Sequence, residues 1–410
     1  MTSSGSFLYS QKTSNIVWGA FLIAMIIGIL APRSLAYLPG AIALTLTGLT
    51  FLKHKKLPKF SKREFSLFVS LILLAFASSL WSVNSDFSNE RSVKLAFIFL
   101  GGYLLINTAR ALRPPETKLS VTNIIGLTAI FAVFLISQEH TDHFLIEFIL
   151  DEERPIHQLN RSFVVFAFLS LLSLFVLKTS SLVLKNKIVF SVFLLLLCGY
   201  ALCLSESETS QLCFLCGLFF LYLWPAKCPK MGRLFFAALV ILCLSLPSLI
   251  KPLKNTVPEE ALLSGILKSA SIVHRFEVWE YTTDKIQNGP IYGYGIDSQR
   301  FMKSDKWMPH QQGDTILHAH NIILQIWIEF GILGIILGVA FLVYFYHRIY
   351  YEEENIEFRR LKMMIFATAF CCAMTGYGVW QSWQVGLFLF LPALVIIVEH
   401  HLNHLGIKNQ

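Results

Sequence analysis

An all-α, polytopic membrane protein is the fold class this sequence predicts, and three observations carry the prediction. Apolar residues fill 55% of the 410 positions and charged residues only 15%, with a positive mean hydropathy, far from the balance of a soluble domain. Apolar runs of near-spanning length recur along the chain, and Lys and Arg collect in every second connection between them. A membrane span needs roughly 20 mostly apolar residues, and open sheet edges have no partners in hydrocarbon, so such runs must be helices.

Taken in order, the runs lie near residues 16–31, 35–52, 65–81, 93–107, 120–136, 162–177, 188–204, 211–224, 234–249, 321–346, 363–379 and 385–399, giving about twelve transmembrane helices. Several are short, and Pro32, Pro39 and Pro392 sit inside or beside them. Two or three helices are therefore expected to be broken, tilted or re-entrant.

Cations set the orientation, because Lys and Arg resist translocation and accumulate on the cytoplasmic side. They gather at Lys53, Lys55, Lys56, Lys59, Lys62 and Arg63, at Arg110, Arg113 and Lys118, at Lys178, Lys185 and Lys187, at Lys227, Lys230 and Arg233, and at Arg348, Arg359, Arg360 and Lys362. The connections between these clusters hold few cations and lean acidic or polar, as at Asp151, Glu152 and Glu153 or across 205–210. Both termini are thus expected in the cytoplasm, with the long connection outside, where its eight Lys and Arg residues do not break the rule. The chain divides into helices one to nine over 1–249, a large periplasmic loop with amphipathic helices over 250–319, and helices ten to twelve with a cytoplasmic C-terminus over 320–410.

The net charge of +8 follows from this asymmetry and does not call for a nucleic-acid partner. The first apolar run is long and lacks a small-residue cleavage pattern, so it reads as its own signal. All eight cysteines lie in or beside apolar runs, and the outer loop has none for a disulfide. Cys213 and Cys216 form C-x-x-C inside a run, with no second ligand pair near them in sequence, so they are expected to be small core residues rather than a metal site.

Polar chemistry is expected on the outer face, in three segments. In the first, residues 152–161 end on Asn160 and Arg161, which puts Arg161 at the outer mouth of a span, where interfacial snorkelling is the plainer reading. In the second, after Pro258, apolar residues Leu262, Leu263, Ile266, Leu267, Ala270 and Val273 recur at helical spacing, followed by Arg275 and Trp279. This predicts an amphipathic interfacial helix, with Arg275 on a solvated face and Trp279 as an interface anchor in the simpler view. That run ends at Asn288-Gly289-Pro290, and Gly293 and Gly295 mark a turning stretch rather than a phosphate loop.

The third segment runs from His318 through His320 and Asn321 to Gly331, Gly334 and Gly338. Asn321, Gln325 and Glu329 recur every four residues and share a stripe that must face protein or water rather than lipid. The glycines suit close helix packing. A histidine titrating near neutrality suits proton abstraction, and the planar, permanently charged guanidinium of arginine suits pyrophosphate. Two arginines and a histidine at a lipid-exposed cleft point to transfer chemistry on a diphospholipid.

His320-Asn321, nine residues, then Gly331-x-x-Gly334 is similar to the signature of the bacterial O-antigen ligases and their polymerase relatives. His318, the stretch 275–279 followed by Pro290 and Gly295, and Asn160-Arg161 opening a span also resemble that family. The resemblance implies a GT-C-like glycosyltransferase architecture in the inner membrane. It implies an inverting, metal-independent transfer of polysaccharide from undecaprenyl diphosphate to the lipid A core at the periplasmic face, without cofactor. On that reading His320 is the base, with His318 as its alternative. Arg161 and Arg275 hold the diphosphate, and His318, Asn321, Asn160, Trp279 and Gln325 support them. Many relatives carry an arginine where this chain has only Ser, Glu, Thr and Gln over 205–211, which leaves a third phosphate contact unassigned; His157 is one substitute. A polymerase uses the same donor with a different acceptor. A transporter would need an internal repeat and midplane polar residues, neither of which the sequence displays.

Overall fold

The computed structural model describes residues 11–55, 57–113, 121–141, 144, 155–256, 270–308 and 313–404. Its helices are α1 (Gln11–Leu30), α2 (Leu38–His54), α3 (Lys62–Ser78), α4 (Ser85–Ala111), α5 (Val121–His140), α6 (Pro155–Thr179), α7 (Leu184–Leu204), α8 (Glu208–Leu218), α9 (Pro229–Thr256), α10 (Ala270–Gln287), α11 (Ile322–Tyr350), α12 (Ile356–Thr375) and α13 (Ser382–His404). Among the described residues, seven stretches are long and apolar enough to cross a membrane: Lys62–Trp81, Ser85–Ala111, Leu159–Thr179, Leu184–Leu204, Pro229–Thr256, Ile322–Tyr350 and Ser382–Asn403. Shorter apolar helices add Ser14–Leu30, Leu38–Leu49, Ile124–His140 and Glu208–Leu223. The all-α membrane class therefore stands.

The prolines act as their chemistry requires. Pro32 opens a 3-10 turn, Pro32–Ala36, that separates α1 from α2. Pro39 sits in the first turn of α2, where a missing N–H costs nothing, and Pro392 lies within α13. The expected break is thus found at Pro32, while Pro39 starts a helix.

Successive helices run between two ends of one bundle, with α6 at its centre. Phe163, Val164, Val165, Phe166, Ala167 and Phe168 of α6 are fully buried. The cationic connections meet at the far end, where Arg110 binds Glu64, Lys178 bonds Glu357 at 2.6 Å, and Lys362 bridges Glu353 and Glu399. Arg360 donates there to the carbonyls of Leu221 and Trp224, which a π-turn (Phe219–Leu223) leaves at the end of α8.

At the opposite end, α10 leads into a turning segment and a two-stranded antiparallel hairpin, Lys303–Met308 with Gly313–Thr315. The backbone of this segment docks onto α11 where α11 is broken. Gly331 has φ +56° and ψ −142°, and around it Tyr294 N–H donates to the Ile328 carbonyl (2.8 Å), Gly295 N–H to Glu329 (2.9 Å) and Ile332 N–H to Ile291 (2.9 Å). Gly293, at φ +77°, lies against the Glu329 carbonyl, where a Cβ would sit 2.5 Å away. The turning stretch read from its glycines is therefore a strap across a helix break. Gly338, by contrast, faces open space rather than a neighbouring helix.

Residues 257–269 lie outside the described residues, and with them most of the expected amphipathic run; the described helix α10 begins at its end and carries Arg275 and Trp279. Glu152, Glu153 and Arg154 likewise lie outside them.

Candidate active site at the strapped end of the bundle

Asn321 is the N-cap of α11: its Oδ1 accepts from the N–H groups of Ile323 (3.0 Å) and Leu324 (3.2 Å), which would otherwise lack partners at the helix start. The residue before it, His320, is held at φ +50°, a left-handed conformation that costs a non-glycine residue roughly 1–2 kcal/mol and persists where the surroundings over-determine it. Its Nδ1 lies 2.8 Å from the Gly376 carbonyl. A carbonyl only accepts, so Nδ1 carries the proton and Nε2 keeps its lone pair. No other hydrogen bond occupies the ring among the described residues. Burial lowers the imidazole to about 4, and nearby Arg275 and His274 push the same way against the Gly376 bond, so His320 is neutral at physiological pH.

His318 stacks obliquely on His320, with ring centroids 4.2 Å apart. Burial, His320, Arg300 and His274 lower it to about 3. Its Nε2 is buried without a partner, and Gly378 packs so closely on the ring that a Cβ there would lie 2.8 Å from its Cγ. Trp279 Nε1 donates to the Ala319 carbonyl at 2.9 Å, so this tryptophan fastens α10 to the histidine segment instead of anchoring an interface.

Gln325 and Glu329 are buried, as their stripe required. Gln325 Nε2 donates to Glu329 Oε1 (2.9 Å) and its Oε1 accepts from Val379 N–H (3.0 Å), while Trp380 Nε1 donates to Glu329 Oε2. These two side chains thus clamp the α12–α13 connection.

Arg275 Nη1 donates to Glu208 Oε2 at 3.2 Å, so the acidic first turn of α8 pairs with the arginine of α10. Burial lowers Arg275 and Glu208 opposes this; the guanidinium stays charged. Arg161 enters from the start of α6, with its guanidinium 5.6 Å from the Tyr377 ring and 5.9 Å from that of Trp383. Its Nε is buried without a partner. Burial pushes the Tyr377 phenol up to about 12 against the charges of Arg161 and Arg275, leaving a neutral donor that feels both cations. Asn160 is half-buried and makes no side-chain hydrogen bond among the described residues; the side chain of His157 lies outside them.

The connection 376–383 organises this end, and sequence reasoning missed it by counting its start as the tail of a span. Gly376 holds His320, Gly378 admits His318, Tyr377 lies beneath Arg161, Val379 and Trp380 meet the α11 stripe, and Trp383 covers Arg161. Its Gly-Tyr-Gly and paired tryptophans were the available signal. A second cluster was also missed. Asp297 takes Arg91 Nε at 2.7 Å and Arg300 Nη2 at 2.8 Å, and both guanidinium groups lie over Phe87, fixing the strap to α4.

Cys213 lies in the core and Cys216 packs against it, and both acquire thiol neighbours across helices. Cys371 and Cys372 of α12 come within side-chain reach of Cys213, and Cys371 of Cys216, so a second pair does stand near the C-x-x-C, brought there by helix packing. All four are free thiols, and no group of metal-ligating side chains forms among the described residues.

Fold and site together define a polytopic membrane protein whose histidines, arginines and phenol converge at one end of the bundle. Residues 192–339 match the family model described as O-Antigen ligase. Among curated proteins, the chain is 24% identical over 330 residues to the "Putative polysaccharide ligase" of Rickettsia conorii, covering 78% of this chain and 76% of that protein. The Rickettsia felis protein of that name is 24% identical over 330 residues (78% and 77% covered), and that of Rickettsia typhi 28% over 280 residues (66% of each). The resemblance to the O-antigen ligase family is thereby borne out. No solved structure matches. The matched segment contains Arg275, His320 and Gly331, whereas Arg161 and the 376–383 connection lie beyond it.

Proposed function

We propose that this chain is an O-antigen ligase of the bacterial inner membrane, with about twelve spans, both termini cytoplasmic and the strapped end periplasmic. It transfers polysaccharide from undecaprenyl diphosphate to a sugar hydroxyl of the lipid A core. The observation that carries the reading is His320: neutral, its Nδ1 proton committed to the Gly376 carbonyl, its Nε2 available, with Arg275 near enough for its charge to act on the ring and Arg161 over the ring of Tyr377, the residue after Gly376.

Nε2 accepts the acceptor hydroxyl's proton as that oxygen attacks the anomeric carbon of the donor. The bond from that carbon to the diphosphate oxygen breaks in the same displacement, inverting the centre, and undecaprenyl diphosphate leaves with the electron pair. Arg161 and Arg275 stabilise the negative charge that develops on the leaving group. His320 is favoured over His318 as the base because the Nε2 of His318 is buried and its ring is wedged against Gly378.

The test is a lipopolysaccharide gel of a strain lacking this chain, complemented with the wild type or with His320→Ala. Bare core and carrier-linked polysaccharide in the His320→Ala strain, from a protein present at wild-type level, is the expected result. Core bearing a single repeat unit would assign a polymerase instead, and a full ladder would refute the reading.

A further inference from the structure

The α1–α2 connection carries a cation that the site as described does not use. Its 3-10 turn is rigidly seated: Leu35 is buried in the core, and the Leu35 carbonyl rests so tightly on α13 that a Cβ at Gly386 would lie 2.0 Å from it. Pro32 and Ala36 are buried too, while Arg33 between them is exposed. One turn before Gly386 on the same helix stands Trp383, whose ring lies under Arg161. The turn that carries Arg33 and the Arg161 side chain thus pack against the same end of α13, one helical turn apart at Gly386 and Trp383. Neither has a carboxylate partner among the described residues, unlike Arg275, which is shared with Glu208. Two guanidinium groups without carboxylate partners, carried by a packed turn and a buried helix at one end of α13, leave a positive surface that a multiply charged anion would complement.

We infer that Arg33 is a further donor-binding residue, which with Arg161 holds the diphosphate of the lipid-linked donor. It supplies the cation that residues 205–211 do not. The inference rests on the donor reading above. Arg275, partly neutralised by Glu208, then faces the phosphate nearest His320, and Arg33 reads the presence of a second phosphate.

The experiment measures binding of farnesyl diphosphate and farnesyl monophosphate to the purified full-length protein in detergent, for wild type, Arg33→Ala, Arg33→Lys, Arg161→Ala and the opposite-end control Lys185→Ala. Arg33→Ala is expected to weaken the diphosphate about tenfold, the scale of one charge-assisted contact, while the monophosphate changes little. Arg33→Lys should recover part of the loss, and Lys185→Ala should match wild type. Equal weakening of both ligands, an unchanged diphosphate affinity in Arg33→Ala, or an equal loss in Lys185→Ala would each overturn the role of Arg33. If Arg161→Ala is impaired while Arg33→Ala is not, the donor reading survives and this inference alone fails. Absence of diphosphate binding by wild type would overturn both.

Discussion

Replacing Gly331 by Ala should unseat the strap and, through it, the active site. Gly331 combines φ +56° with ψ −142°, a region that costs a side-chain-bearing residue about 1–3 kcal/mol. The new Cβ would also lie 1.9 Å from the Ile291 carbonyl oxygen, so the strap has to lift. Three backbone hydrogen bonds hold it around the break, each worth about 1 kcal/mol. The expected destabilisation is therefore about 2–5 kcal/mol, according to how many bonds are lost. Gly338→Ala, on the same helix but facing open space, is the control; there alanine should be neutral or favourable by up to about 1 kcal/mol. Thermal unfolding in detergent, followed by tryptophan fluorescence because Trp327 and Trp380 lie near the break, should put Gly331→Ala about 2–6 °C below wild type, with ligation reduced in parallel. A Gly331→Ala protein that melts with wild type and ligates normally would refute the strap argument.

The site sets further outcomes, in pH dependence and in substitutions. With His320 near 4, below its ordinary value of roughly 6.5, kcat/KM should hold from neutral pH to about 5 and fall only as the imidazole gains its proton. Arg275→Gln removes a cation that disfavours protonated His320, so the acid limb should move to higher pH; an unmoved limb would contradict the proximity. The same depression means that the stability contributed by neutral His320 is complete above about 6.5 and is lost as pH falls toward 4, which thermal unfolding against pH would reveal. Arg275→Lys should lower the rate of ligation at least about tenfold, since a point charge cannot reproduce the guanidinium fork; kinetics with lipid-linked donor would check it. Asn321→Ala should cost about 1 kcal/mol through loss of the cap, while Asn321→Ser folds normally, and melting temperatures would distinguish a cap from a substrate contact.

The motif that carries the family resemblance acquires a physical account from these contacts. Its histidine offers a free nitrogen, its small amide residue caps a helix, and its first glycine makes the break on which the strap hydrogen-bonds. Only the first of these leaves an atom free for the proposed chemistry; the other two shape the backbone around it.

The membrane class, the helix positions and the segregation of cations were determined by the sequence alone, because each depends on local composition. A run of apolar residues must satisfy its backbone within itself whatever packs beside it, and the count of Lys and Arg in a connection needs no neighbour to be read. The histidine motif was legible for the same reason, its residues lying within one turn and one helix. What only the tertiary structure decided are pairings across long separations: His320 with Gly376, 56 residues on, Glu208 with Arg275, 67 residues apart, and Cys213 with Cys371 and Cys372. None has a periodic or spacing signature, since each depends on which helices adjoin and at what height, and that is set by packing of small and large side chains along faces the sequence exposes equally. The 376–383 connection therefore read as the end of a span until α11, α6 and α10 were brought around it.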